Sequence, residues 1–437
     1  MLSKIRLSTN NKSDRSNIFF TNTFFNFLFI GLKIGVNLLI VPLLLTYLEG
    51  ERYGIWQTII SIVSFVAVFN FGYPNGLRNL ITRLLLSSSK INIGNVIGAT
   101  YVKVSKLTLL TAIFIIPLIY FFLKPKNLFL ETPIPSNEIT YSLLIFIFFS
   151  LLNNILSLSD SIAFGYQKSY LTSFFQVCHL LMCYLIIYLI GKHLNLIYIS
   201  LIFGATRSLG YVFFIIYQNQ KFKININFNS NFLSNDINKV SFHFFLAHLL
   251  ALFFLAIDNF IISSALGAEE TTKFSIVNKI FFTLITFFSI LLIHFWNSVT
   301  EAYEKKEFTW ILKIIKVLYL ISIVFFVMGL IISFYQKQII SFWLGENILE
   351  LESLTFYLFS IYVFLHCINA IFQNLQNGLG MLKIQIYTSL FALSIYALGC
   401  YLIDIKLYGY NSIIMLKIGV MFLSVILNSL ILKRIKE

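Results

Sequence analysis

Charged residues are scarce in this chain. Asp, Glu, Lys and Arg make up 11% of its 437 residues, against roughly 25% in a soluble domain, which excludes an ordinary water-soluble fold. Acid is the rarer sign, with 18 Asp and Glu against 32 Lys and Arg, so few carboxylates are available for acid–base work. Only 6 prolines and 20 glycines interrupt the chain, which predicts long helices with few kinks. The cysteines Cys178, Cys183, Cys367 and Cys400 form no C-x-x-C pair and lie in apolar runs, so they read as buried thiols rather than disulfide or metal partners. Enzyme signatures are missing too: there is no H-E-x-x-H, G-x-S-x-G, Walker loop or D-x-D pair, and no polar domain to carry a nucleotide. No catalytic residue, cofactor or metal is expected.

What the chain has instead is apolar length. Hydrophobic residues make up 58%, with 48 Phe and 23 Tyr, and mean hydropathy is +0.85. A bilayer core takes about 20 apolar residues per helix. Twelve such runs are present, at 18–48, 54–72, 104–123, 139–160, 171–191, 196–217, 242–266, 276–299, 311–335, 351–375, 383–403 and 410–432. These predict an all-α integral membrane protein. The second run continues into 77–86, which reads as a helical extension projecting beyond the membrane. The basic segment before Ile18 is too long for a signal peptide and lacks a small-residue cleavage site.

The first half of the chain echoes the second at a spacing of 218 residues. Leu48-Glu49-Gly50-Glu51-Arg52-Tyr53-Gly54 joins the first two runs, and Leu266-Gly267-Ala268-Glu269-Glu270 joins the seventh and eighth; registering Leu48 with Leu266 places Glu51 on Glu269. Six spans per half make the repeats parallel, related by an axis along the membrane normal. The expected organisation is a six-helix lobe over 1–218, a linker rich in Asn and Lys over 219–240, and a second six-helix lobe over 241–437.

Lys and Arg set the orientation. With the amino terminus inside, inside segments carry 21 of them, outside segments 7, and Lys33, Arg207, Lys279 and Lys417 fall within spans. This bias puts both termini in the cytoplasm and accounts for most of the net charge of +14 without nucleic acid. Membrane lipids are the expected partner of the basic face.

A charge at the centre of a span costs about 2.5–3.5 kcal/mol on insertion scales, so each one calls for a reason. Arg207 is deepest, and reads as a cavity-facing cation or as a hydrogen-bonded core arginine. Lys33 and Lys417 lie near enough to an interface to snorkel or to serve a site. Lys279 is a turn inside the eighth span, where snorkelling is the simpler reading. Asp258 is the carboxylate well inside a span; it is either the salt-bridge partner of a cation such as Arg207 or Lys33, or an ion-coupling site. Asp160, at the end of the fourth span, is expected to be wet. Histidines at 179, 243, 248, 294 and 366 are expected as satisfied core imidazoles, and His243 and His248 are spaced off one helical face. Asn37, Asn70, Asn153, Asn154, Asn369, Gln373 and Asn374 can hold helices together or meet sugar hydroxyls, and helix packing is the commoner use.

The segment from Val41 to Leu48, running into Glu51-Arg52-Tyr53-Gly54-Ile55-Trp56 and then Asn70-Phe71-Gly72 and Arg78, resembles the opening of the polysaccharide flippases. These are the Wzx-type O-antigen transporters of the multidrug/oligosaccharidyl-lipid/polysaccharide (MOP) superfamily. Asp258-Asn259-Phe260-Ile261-Ile262 through Leu266-Gly267, Phe274-Ser275-Ile276 and Lys279 is similar to their seventh and eighth spans. The chain has Asn70 where members often have Asp, so a carboxylate role there does not carry over. The resemblance implies a MATE-like fold and a carrier in the inner membrane. Its substrate would be an undecaprenyl-pyrophosphate-linked oligosaccharide for O-antigen, capsule or related polysaccharide, with other polysaccharide-assembly membrane proteins as partners. On this reading Arg207, Lys33, Lys417, Arg78 and Lys279 are the substrate-binding candidates. Two other readings compete: a multidrug exporter of the same superfamily, whose cationic substrates favour acidic cavities, and a membrane-embedded polysaccharide polymerase. The longest outer loop, at 124–138, is short for the polymerase.

Overall fold

The computed structural model describes residues 12–86, 92–122, 132–228, 235–304, 306–345, 350–379 and 381–430. The basic ends of the chain, much of the outer loop at 124–138 and part of the linker lie outside them. Every regular element among the described residues is helical. Eleven helices are long and apolar enough to cross a membrane. The first of them, α1 (Lys12–Val68), carries a break at Glu49 (φ 63°) and holds both the first and second expected spans, so the structure matches the twelve runs one for one. The chain is a multi-pass membrane protein. Its outward faces are apolar, with Phe114, Leu189 and Leu320 each at least 65% exposed, as helices solvated by lipid require.

The remaining elements follow in order. The first half continues with α2 (Tyr73–Leu86), α3 (Ile93–Phe122), α4 (Ser136–Leu156), α5 (Leu158–Gly165), α6 (Ser169–Ile190) and α7 (Leu196–Phe222). The second half holds α8 (Asn235–Leu266), α9 (Ala268–Glu304), α10 (Phe308–Phe334), α11 (Gln336–Leu344), α12 (Ser353–Gly378), α13 (Leu382–Leu402), α14 (Ile405–Tyr408) and α15 (Asn411–Ser429). The expected continuation of the second span is broken. The helix ends at Val68, Phe71 (φ 54°) and Gly72 (φ 70°) turn the chain, and Asn70 Oδ1 accepts the Gly72 N–H at 3.0 Å. A short polar side chain that competes for local backbone donors ends a helix in this way. Positions 288–290 in the second half are Phe-Ser-Ile, and there α9 runs on unbroken to Glu304.

The 218-residue register is visible in atomic contacts. Glu49 and its counterpart Gly267 are both positive-φ residues, at 63° and 95°, so both halves reverse at the same place. At this turn face the halves touch reciprocally. Thr272 Oγ1 donates to the Gly50 carbonyl at 2.5 Å, and Gly54, the counterpart of Thr272, lies so close to Ala268, the counterpart of Gly50, that a Cβ would stand 1.8 Å from the Ala268 carbonyl oxygen. At the opposite, linker face, Phe27 meets Phe287 at 6.5 Å and Phe69 meets Phe245 at 6.2 Å. Phe245 and Phe287 are the counterparts of Phe27 and Phe69. Such i-to-j and j-to-i contacts are what a two-fold axis produces, and here they relate two six-helix lobes around an axis along the bundle.

Polar side chains also bridge this seam. Asn259 Nδ2 donates to Ser61 Oγ at 3.0 Å, and Thr58 Oγ1 donates to the Asn259 carbonyl at 3.4 Å. At the linker face Tyr73 Oη donates to Asn238 Oδ1 at 2.6 Å, and burial pushes this hydroxyl above its ordinary range. Within lobes, Asn154 Nδ2 donates to the Val66 carbonyl at 3.1 Å, and Asn428 Nδ2 donates to Asn369 Oδ1 at 2.8 Å. Asn154 and Asn369 therefore hold helices together, the commoner use of such residues.

Candidate functional site

The six nominated residues separate into one cluster, one buried pair and two isolated cations. In the first lobe, Lys33 on α1 and Arg207 on α7 face the same polar region. Lys33 Nζ donates to Gln176 Oε1 on α6 at 2.8 Å. Arg207 stands about 17 Å along α7 from Leu196 at 1.5 Å per residue, with its guanidinium 5.8 Å from the centre of the Tyr211 ring. Tyr211 Oη donates to Asp160 Oδ2 at 3.0 Å. Both Arg207 and Lys33 lie within electrostatic reach of Asp160 and of His179. Asp160, Thr172, Gln176, His179, Arg207 and Tyr211 all line one cavity with a free volume of about 10 Å³, room for about one water molecule. Arg207 nonetheless retains accessible surface. A guanidinium at this depth cannot face hydrocarbon cheaply.

Two cations share one carboxylate in this cluster, an excess of positive charge. Asp160, expected to be wet, is instead drawn into it, and the nomination of Asp258 as partner for Arg207 or Lys33 is corrected. Asp258 on α8 pairs with Lys417 on α15, and both side chains are buried. The second carboxylate oxygen accepts from Tyr396 Oη at 2.5 Å. The Lys417 ammonium lies 5.2, 5.7 and 5.9 Å from the ring centres of Phe254, Tyr362 and Tyr396. Ion pairing, a phenol donor and ring faces together offset the desolvation of both charges. Lys417 does not snorkel.

Arg78 and Lys279 stand apart. Arg78 lies on α2 with its guanidinium 4.9 Å from the Phe164 ring centre, exposed at the linker face. Lys279 on α9 is half-buried, and among the described residues no carboxylate or acceptor bonds its ammonium. Its counterpart in the 218 register is Ser61, which faces Asn259 across the seam. Two histidines also depart from expectation: His179 Nδ1 and His366 Nδ1 are buried without a hydrogen-bond partner among the described residues. Residues missed from sequence are the partners, Asp160, Gln176, Tyr211 and Tyr396. A usable signal was present, since Arg207 and Tyr211 are four apart on one helix, a spacing that stacks them on one face.

The second lobe holds a larger cavity at its linker-side end. Its free volume is about 230 Å³. His366, Asn369 and Gln373 of α12, Gln385, Thr388 and Ser389 of α13, and Ser424 and Asn428 of α15 contribute its polar lining, with Leu250 and Phe254 of α8 on the apolar side.

The overall arrangement of the helices recurs in solved structures. The chain superposes on an inward-facing multidrug resistance MATE family transporter of the MOP superfamily with a TM-score of 0.73 at 13% identity, covering 92% of this chain and 95% of that one. The chain has the MATE-like fold. An outward-facing conformation of a multidrug resistance MATE family transporter gives 0.67 at 12% identity over 94% and 95%. A MOP superfamily transporter from Pyrococcus furiosus, described as having a binding pocket of reverse polarity that suggests a different function, gives 0.61 at 12% identity over 95% of each chain. No family model and no curated protein matches the sequence.

Proposed function

We propose that this protein is a flippase that carries an undecaprenyl-pyrophosphate-linked oligosaccharide from the inner to the outer leaflet of the cytoplasmic membrane by alternating access. The observation that carries this reading is the sign of the intramembrane charge. Lys33 and Arg207 both lie within electrostatic reach of one carboxylate, Asp160, and Lys279 has no anionic partner among the described residues, whereas the buried Asp258 is already paired with Lys417. A lipid pyrophosphate is an anion that must cross a low-dielectric core, and fixed guanidinium and ammonium groups replace part of its hydration through charge-assisted hydrogen bonds. The lipid tail can stay in the bilayer while the headgroup passes between the lobes. The halves at 1–218 and 241–437 would rock about a central site between them, exposing it to each side in turn, with both termini in the cytoplasm. Membrane proteins of polysaccharide assembly would act before and after it.

A multidrug exporter is the second reading, favoured by the multidrug transporters that share the fold. The two make opposite demands on the cavity, since a cationic drug needs unpaired carboxylate. Deleting the gene and assaying the leaflet position of lipid-linked sugar units tests the choice. Single repeat units accumulating on the cytoplasmic leaflet are expected. Unchanged glycolipids with raised sensitivity to cationic drugs would favour the exporter, and outward-facing units that fail to chain together would favour a polymerase.

A further inference from the structure

Each lobe holds a cavity, and the two share helices related by the repeat. The first is built on α6 and α7 and the second on their counterparts α13 and α15; Asn428, which lines the second, stands at the register position of Gly210, which lines the first. The two linings contrast sharply. The first cavity is narrow and lined by Arg207, Asp160 and His179, whereas the second is more than ten times larger and, among the described residues, lined by no side chain of Asp, Glu, Lys or Arg.

We propose that the second-lobe cavity is a binding site for the hydroxyl groups of a neutral sugar ring. Amides and hydroxyls that both donate and accept suit a polyol, whose hydroxyls do the same. Some of the lining is committed to structure: Asn428 Nδ2 donates to Asn369 Oδ1, and Asn428 Oδ1 accepts from Gln376 Nε2 outside the cavity, each at 2.8 Å. Gln373 and Gln385 are not, for their side-chain amides make no hydrogen bond to the described protein. His366 also lines the cavity, and its buried Nδ1 has no hydrogen-bond partner among the described residues. Polar groups left unspent inside a membrane bundle are expensive unless water or a ligand satisfies them. Phe254 supplies an apolar wall on which the carbon face of a sugar ring can rest. The size, just below the roughly 300–1,000 Å³ of drug-sized pockets, fits a ring or two. The site stands on this lining and does not depend on the lipid-anion reading.

Two sources offer the same chemistry, the glycan of a lipid-linked unit and a free sugar. The test uses the full chain in lipid nanodiscs and two sets of probes. The first is methyl glucoside and methyl N-acetylglucosaminide, followed by saturation-transfer NMR and by the shift of the unfolding midpoint. The second is a synthetic polyprenyl diphosphate with and without one attached sugar. Glycoside binding to the wild type is expected. Gln373→Leu and Gln385→Leu should each weaken it about tenfold, the scale of one hydrogen bond lost from a desolvated site. Ser389→Phe should block it by filling the space, with a cooperative unfolding transition as proof of folding. A sugar-dependent gain for the lipid-linked probe that disappears in Gln373→Leu identifies the lipid-linked glycan as occupant; glycoside binding without that gain identifies a free sugar. No sugar-dependent signal in either set, or one unchanged in all three variants, overturns the proposal. Failure of the bare polyprenyl diphosphate to bind counts against the anion reading alone and leaves the glycoside result intact.

Discussion

Lys417 shows how a single charge is made tolerable in a membrane. Its ammonium has a carboxylate, a phenol-supported geometry and three ring faces around it, so the pair is a structural unit of the second lobe. Removing one partner strands the other charge, at a cost of about 3–5 kcal/mol for a buried pair. Asp258→Asn is therefore expected to lower the unfolding midpoint sharply, and the double variant Asp258→Asn with Lys417→Met to recover most of the loss, as measured by thermal unfolding in nanodiscs. Double-variant behaviour no better than the single would mean that the pair is not what holds these side chains. Sequence alone showed that Lys417, Arg207 and Asp258 needed explanations, because charge inside an apolar run is visible there. Which cation met which acid was not visible. Pairing depends on helix facing, and Asp258 meets Lys417 across 159 residues of chain.

At the scale of elements, the turn at Glu49 and the contact at Gly54 are the parts that sequence pattern located and geometry explained. The register from Leu48 to Leu266 marked the turns, and the structure puts positive φ at Glu49 and Gly267. At φ 63° and ψ 174° Glu49 occupies a region nearly confined to Gly, at a cost of about 1–3 kcal/mol, so Glu49→Gly is expected to raise the unfolding midpoint; a fall would show that the Glu49 side chain holds the turn. Gly54→Val should do the opposite, because its Cβ would strike the Ala268 carbonyl at 1.8 Å. The expected readout is a loss of stability above about 2 kcal/mol or a lobe seam held open at the turn face, measured by unfolding and by spin-label distances across the seam. What the hydropathy pattern could not give was the break after Val68. An apolar run reads the same whether one helix continues or two meet, and the decision rests on Asn70 bonding the Gly72 amide.

For the whole molecule, the reciprocal contacts bear most directly on movement. Twelve apolar runs, two lobes and their parallel arrangement were all legible, since span number and repeat spacing survive in any sequence that keeps its helices in lipid. The reciprocal phenylalanines were not, because 48 Phe conceal which four meet. Phe27 with Phe287 and Phe69 with Phe245 join the lobes at the linker face on both sides of the axis, and the proposed alternating access would require those pairs to part. Cysteine pairs at 27 and 287, or at 69 and 245, oxidised to cross-links, are expected to stop transport in proteoliposomes and release it on reduction; transport unaffected by either link would rule out opening at this face. The two lobes differ in their polar lining, with positive charge in the first and neutral polar surface in the second. The measurement that bears most directly on this account is binding of polyprenyl diphosphate and of a lipophilic cation to the wild type and to Lys33→Met with Arg207→Met in nanodiscs. Tight anion binding that falls at least about a hundredfold in the double variant, as loss of two charge-assisted contacts implies, with no cation binding in the wild type, is the expected result. Preferential binding of the cation by the wild type, or anion binding indifferent to both substitutions, would contradict it.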